Sequence, residues 1–396
     1  MTTVTTTGTP AAGIRPVVLI FVGNYLPAHK AGGIIRTVAN TVDHLCDEFD
    51  FRIVTGDRDL GDDRPFDGVP LNQWVPLGNS LVYYMPKEQQ TMANLAVLVN
   101  SVPARAIYLN SFFDPFTVKV LANMWRGTIP PTRVIVAPRG EFAWASLKQK
   151  YPKKLIFMLG ARLIRLYGPA IFHASSKFEA DDIVREMHAD PASILVAFDF
   201  ALKVHDTALP PPAREPGDDR LRMLFLSRVA REKNLDVALK LLREVRSQVI
   251  FDIHGPVNDT AYWDECQALM VQLPPNVTAR YCGPVDAGKV VETFANYDLF
   301  LFPTGGEAYG HVIVESLLAG TPVLASQESA WRDLPSDGLG WDVNLADQSA
   351  FVQAIEAFAA VPPAERDARR SLVRAGVARR LADPAIAESH RRLLLG

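Results

Sequence analysis

Residues 305–325 read GGEAYGHVIVESLLAGTPVLA, and this stretch decides the fold. An apolar run, Leu299–Phe302, precedes it, and Thr321-Pro322 leads into a second, Val323–Ala325. The pattern predicts strand, Gly-containing loop, short helix, turn, strand. Such a unit aims backbone N–H groups and the positive end of a helix at whatever lies above the strand ends. Glu307 and Glu315, with seven residues between them, set two carboxylates beside that anion-binding element. A ligand with both phosphate and hydroxyl groups suits the combination. A nucleotide sugar has both.

The same alternation extends outward in both directions. Candidate strands in the first half are Val17–Val22, Phe51–Thr55, Ala106–Leu109, Val134–Ala137, Ile171–Ala174 and Ile194–Ala197. In the second half they are Met223–Ser227, Val249–His254, Val277–Tyr281, Leu299–Phe302, Val323–Ala325 and Gly340–Val343. Continuous apolar strands separated by helix-length amphipathic stretches argue for parallel sheets covered on both faces. Between the halves lies HDTALPPPAREPGDDR, residues 205–220, whose prolines and charges mark a linker. The expected organisation is an α/β chain with a tail (1–14), a first domain (15–204), the linker, a second domain (221–382) and a C-terminal helix (383–396). Asp383-Pro384 starts that helix, which has the option of docking on either domain. Two such domains face each other across a cleft, where ligands of these folds bind.

With 396 residues, two domains are the natural expectation, and 48% hydrophobic with 21% charged residues is the composition of a soluble globular protein. The Thr-rich start, MTTVTTTGTPAA, lacks the basic and apolar segments of a signal peptide and reads as a disordered tail. Cys46, Cys266 and Cys282 are isolated, which argues against a disulfide framework or a zinc site and for a cytoplasmic home. Net charge is −3, so nucleic acid is not an indicated partner. Charge is unevenly spread, with 21 basic and 18 acidic residues through Lys203 against 20 and 26 thereafter. No acidic residue lies between Glu141 and Glu179, an interval holding Lys148, Lys150, Lys153, Lys154, Arg162, Arg165 and Lys177 among apolar side chains. This is either a solvated helix face or, through residues 148–165, a peripheral contact with anionic headgroups or a lipid-linked phosphate.

Residues 226–234, LSRVAREKN, connect a strand to a helix beginning near Asn234. Arg228 and Lys233 on that loop offer a planar fork and a point charge for a diphosphate. Gly32 and Gly33 permit close backbone approach at the start of the first helix, with Arg36 one turn on. This loop does not match Gly-x-Gly-x-x-Gly, which weakens a nicotinamide oxidoreductase reading.

The segments FLSRVAREKNLDVALKLL, ARYCGPV and FLFPTGGEAYGHVIVESLLAGTPVLAS resemble the C-terminal domain of the retaining glycosyltransferases called family 4. These have the GT-B fold, two Rossmann-like domains across a cleft, with C-terminal helices that can cross back. PAHKAGGIIRTVANTVDHL, VAPRGEFAWASL and FHASSKFEADDI are similar to that family's N-terminal motifs, and the resemblance runs from about residue 15 to 395 in the same order. It implies that Arg228 and Lys233 hold the donor diphosphate. Glu307 then contacts the sugar hydroxyls, helped by backbone N–H groups of Ala308, Tyr309, Gly310 and His311, and Glu315 accepts from the ribose diol. Gly32 and Gly33 lie near the donor phosphates. Glu307, Arg228 and Lys233 are the expected catalytic set, and Arg139, Asn110 and Ser111 the candidate acceptor set, with a salt bridge to Glu141 as the other option for Arg139. Ser227 and Asn234 stand where the family commonly has glycine, and Val196–Phe200 replaces its usual Pro-Asn-Gly stretch.

With no Asp-x-Asp motif near the diphosphate loop, neither metal nor other cofactor is expected. The expected activity is transfer of a sugar, with retention, from a nucleotide-diphosphate donor to a saccharide or lipid-linked saccharide. The setting implied is surface polysaccharide synthesis at the inner face of the membrane. The alternatives are a nucleotide-sugar-binding scaffold without turnover, and an epimerase or hydrolase of nucleotide sugars.

Overall fold

The computed structural model describes residues 15–30, 32–203 and 209–396. The tail expected over 1–14 and positions 205–208 of the expected linker lie outside the described residues.

Two sheets form from the apolar runs. The first contains β1 (Val17–Phe21), β2 (Asp50–Gly56), β3 (Trp74–Leu77), β4 (Ser80–Met85), β5 (Ala104–Asn110), β6 (Arg133–Ala137), β7 (Ala170–Ala174) and β8 (Ile194–Val196). Their order is β3-β4-β2-β1-β5-β6-β7-β8, with every pair parallel except β3 with β4. The second contains β9 (Leu221–Leu226), β10 (Val249–His254), β11 (Val277–Gly283), β12 (Leu299–Phe302), β13 (Val323–Ser326) and β14 (Gly340–Val343). These run parallel in the order β11-β10-β9-β12-β13-β14. Central strands such as β1 and β12 are buried at every residue, as parallel strands covered on both faces require.

Sequence reasoning omits β3 and β4. They form a hairpin through Gly78-Asn79, a turn signal flanked by apolar residues. Pro76 interrupts the first run and argues against a strand, but β3 lies at the sheet edge, where a missing donor costs nothing.

The helices of the first body are α1 (Gly33–Leu45), α2 (Met92–Asn100), α3 (Pro115–Trp125), α4 (Trp144–Leu147), α5 (Tyr151–Leu163) and α6 (Lys177–Met187). Side chains of Thr91, Asp114 and Ser176 cap α2, α3 and α6 by accepting from backbone N–H groups of the first turn. The second body carries α7 (Leu235–Leu242), α8 (Thr260–Val271), α9 (Val290–Ala295), α10 (His311–Leu318), α11 (Gln348–Ala359) and α12 (Pro363–Leu381). The last helix, α13 (Pro384–Leu395), crosses back to the first sheet. Its Ile386, Leu393 and Leu394 enter the core that holds Val18 and Ile20, while Arg133 Nε donates to the Leu393 carbonyl at 2.8 Å. The apolar face of this helix is covered by that core, so it docks on the first domain.

The described part of the Pro-rich linker is fastened to the second body. Arg214 and Arg366 both reach the wholly buried Asp298 carboxylate, and Arg366 also donates to the Asp219 carbonyl at 2.8 Å. All three cysteines are free, and no helix among the described residues is long and apolar enough to cross a membrane.

In each sheet the strand order reverses beside the first strand, at β1–β5 and at β9–β12. Loops at the carboxyl ends there diverge and leave a crevice. The two crevices face each other.

Candidate active site

A cavity of about 750 Å3 lies between the two bodies. Gly33, Thr37, Arg139 and Trp144 line it from the first, and Arg228, Lys233, Glu307 and His311 from the second. The loop after β9 begins with Ser227, whose N–H donates to the His254 carbonyl at 3.1 Å. Gly255 passes so close that a Cβ there would stand 1.9 Å from the Ser227 carbonyl oxygen. Further along, Asn234 takes a left-handed conformation, φ 56°, between a single 3-10 turn and α7. Asparagine tolerates this geometry, so the glycine expected at that position is dispensable.

This loop is tied to the one after β12 through backbone. The Glu232 carbonyl accepts from Gly305 N–H at 2.9 Å, and Asn234 Nδ2 donates to the Pro303 carbonyl at 2.9 Å. Side chains then meet across the join: Lys233 Nζ lies 2.6 Å from Glu307 Oε2. Arg228, 42% exposed and 3.4 Å from Glu232, remains accessible to an anion. Gly310, φ 83°, turns the chain into α10. Among the described residues, the backbone N–H groups of Ala308, Tyr309 and Gly310 meet no acceptor. They surround the positive end of α10, as an anion site requires.

Glu315 lies one turn into α10 and is buried. Burial pushes its carboxyl above the usual range, and the Arg36 guanidinium bonded to Oε1 opposes that shift. Oε2 has no partner among the described residues. His311, on the same face of α10, meets Thr37 Oγ1 through Nε2 at 2.7 Å, and burial lowers its pKa to about 4. Ser175 Oγ lies 3.1 Å from the Ala308 carbonyl oxygen, and a Cβ on Gly140 would touch Ala308 Cβ at 3.1 Å. The cleft is therefore closed by contacts along its middle.

The expected acceptor set is arranged differently from the sequence reading. Arg139 borders the cavity, but its guanidinium is spent on the protein itself. Nη1 lies 2.8 Å from Asp199, Nε and Nη2 donate to Asn110 Oδ1, and Nη2 donates to Tyr108 OH at 2.7 Å. Burial alone would raise the Asp199 carboxyl; Arg139 and neighbouring histidines outweigh it and hold the group below its usual value. Glu141 is not the partner of Arg139. It accepts from Ser111 Oγ at 2.6 Å and Phe112 N–H at 2.5 Å, and burial pushes its pKa up to about 7. Asn110 and Ser111 do not line the cavity.

His173, Asp199 and His390 approach within ligand range of a common point. Both His173 nitrogens are engaged, with Tyr108 OH at 2.5 Å and the Ala197 carbonyl at 2.8 Å, and Asp199 already neutralises Arg139. This donor set suits a hydrogen-bonded core better than a cation.

Residues 211–375 match the sequence profile of the family described as Glycosyl transferases group 1. Over these residues the second domain is similar to the glycosyl transferases group 1 family. It is 26% identical over 211 residues to a D-inositol 3-phosphate glycosyltransferase of Streptomyces scabiei, 48% of this chain and 46% of that one. The chain thus spans about half the length of the curated relatives it matches. Among solved structures it is similar to Anabaena Alr3699/HepE in complex with UDP and glucose, at TM-score 0.65, 14% identity and coverage of 96% and 99%. It is likewise similar to the trehalose-6-phosphate synthase OtsA, at TM-score 0.68, 10% identity and coverage of 95% and 99%. The fold is GT-B.

Several cavity residues escape sequence reasoning. Glu179 accepts from Gly140 N–H at 2.7 Å and Ser175 Oγ at 2.6 Å, and so joins two loops of the first domain. FHASSKFEADDI contains it, but only the fold shows which loops it spans. Asp199 and Thr37 carry no local signal at all.

Proposed function

We propose that the protein transfers a sugar, with retention, from a nucleoside diphosphate sugar to a saccharide or lipid-linked saccharide. One observation carries this reading: Arg228, Lys233, Glu307 and the N-terminus of α10 converge on a single interdomain cavity, with Glu315 next along the helix. The cations and the helix end stabilise the departing diphosphate. Glu307 and the amides of residues 308–311 hold the sugar hydroxyls, and Glu315 accepts from the ribose diol. The bond from the anomeric carbon to the diphosphate oxygen breaks, and the acceptor oxygen bonds to the same face. The acceptor proton passes to the departing phosphate oxygen. With these counter-charges supplied by side chains, turnover is expected to persist in EDTA.

A second feature supports a lipid-linked acceptor. On α5, Ile156, Leu159 and Leu163 are exposed at 72%, 50% and 85%, at one-face helical spacing, beside exposed Lys148, Lys150, Lys153 and Arg165. Sedimentation with vesicles of anionic lipid tests this, and binding unaffected by Leu163→Glu with Ile156→Glu overturns it.

The donor reading is tested by calorimetry with UDP-, GDP-, ADP- and dTDP-sugars on wild type and Glu315→Ala. A loss of about tenfold or more is expected in the variant, from one or two charge-assisted hydrogen bonds of ~1.5–3 kcal/mol each. Equal affinity refutes the ribose role. Product formed only with acceptor present separates transfer from hydrolysis, epimerisation or binding alone.

A further inference from the structure

Helices α1 and α10 meet across the cleft through two adjacent pairs. Arg36 and Thr37 of α1 reach Glu315 and His311, which stand one turn apart on α10. The Arg36 pair is unusual in its surroundings. Glu315 is 8% exposed at its side chain, Arg36 is 33% exposed, and 279 positions of chain separate them. One Glu315 oxygen takes the guanidinium and the other, buried, has no partner among the described residues. A carboxylate in this setting is an incompletely filled acceptor. A vicinal diol would fill both oxygens; Arg36 fills one from the opposite domain.

We propose that Arg36 is a stand-in for the donor ribose, holding the Glu315 carboxylate across the cleft until an incoming nucleotide displaces it. The proposal rests on the reading of Glu315 as the ribose grip. It makes Arg36 a positioning residue that works through Glu315. With Thr37–His311 and Ser175–Ala308 it supports closure without donor, and it sets a threshold that a ligand without ribose hydroxyls does not overcome. Since Arg36 and the ribose compete for Oε1, the apparent affinity of a nucleotide is reduced to the fraction of protein in which the pair is open.

The test is calorimetry with the best-binding nucleoside diphosphate on wild type, Arg36→Gln, Arg36→Met, Glu315→Gln and the double variant Arg36→Gln with Glu315→Gln. Both Arg36 variants are expected to tighten binding by about threefold to tenfold, since a pair made in 70–90% of molecules reduces affinity by roughly that factor. A residue with a merely structural role would weaken binding or leave it unchanged, and either result overturns the proposal. The double variant keeps the two readings apart. If Glu315→Gln weakens binding in the Arg36→Gln background while Arg36→Gln alone does not tighten it, the ribose grip stands and the stand-in fails. If Glu315→Gln has no effect in that background, the ribose grip itself fails.

Discussion

Replacing Lys233 by methionine removes a charge at the centre of the proposed donor site while keeping most of the aliphatic stem. Lys233 is 12% exposed and lies 2.6 Å from Glu307, which is 22% exposed. Two effects follow. One charge-assisted hydrogen bond to the diphosphate disappears, worth ~1.5–3 kcal/mol, or roughly 10- to 150-fold in affinity. Glu307 is also left uncompensated beside the phosphates. At ~4 Å and an effective dielectric of about 20, that repulsion has an upper bound of ~4 kcal/mol, and solvent at a partly exposed carboxylate removes most of it. Calorimetry with nucleoside diphosphates and with the bare nucleoside is the assay. The variant is expected to lose about 30-fold or more for the diphosphate and little for the nucleoside. Adding Glu307→Gln removes the repulsion and is expected to recover about threefold. If Lys233→Met binds the diphosphate as wild type does, or loses equal affinity for the bare nucleoside, Lys233 is not a phosphate ligand.

Arg139→Met leaves Asp199 buried without its cation and is expected to cost about 3–5 kcal/mol of stability, measured by urea unfolding. His173 and His390 are buried, with pKa values lowered to about 3 and about 4, and His311 is half-buried at the cavity wall, with its pKa lowered to about 4, against ~6.5 in the unfolded chain. The unfolded state therefore binds more protons between pH ~4 and ~6.5. Their contribution is full above that window and lost as pH falls through it, at ~1.4 kcal/mol per pH unit for each histidine. Urea midpoints at pH 5 and 7.5 check this, and His390→Gln is expected to reduce the difference. Leu393→Ala opens the seam between α13 and the first sheet, where Leu393 is fully buried, at an expected cost of ~2–5 kcal/mol by the same assay. Gly255→Ala is expected to disrupt the loops after β9 and β10, read as lost nucleotide binding together with a lower melting temperature.

Sequence alone determined the local units. Six strands of the second sheet, the Gly310 turn into α10 and the loop carrying Arg228 and Lys233 follow from apolar period, breakers and charge, all of which act over a few residues. The same range explains the omission of β3 and β4: Pro76 is a local argument against a strand that only an edge position overrules. Partnership was decided by tertiary structure. Arg139 read as an acceptor ligand or a partner of nearby Glu141, because Asp199, which neutralises it, lies 60 positions away. For Arg36 the chain offers no sign of its partner, because Glu315 belongs to the other domain. A buried charge takes whatever counter-charge packing brings to it, and packing between sheets leaves no period in the chain. Sequence placed the two glutamates beside an anion site; packing of the loops after β9 and β12 paired one with Lys233 on its own domain, and the closed cleft paired the other with Arg36 across the gap.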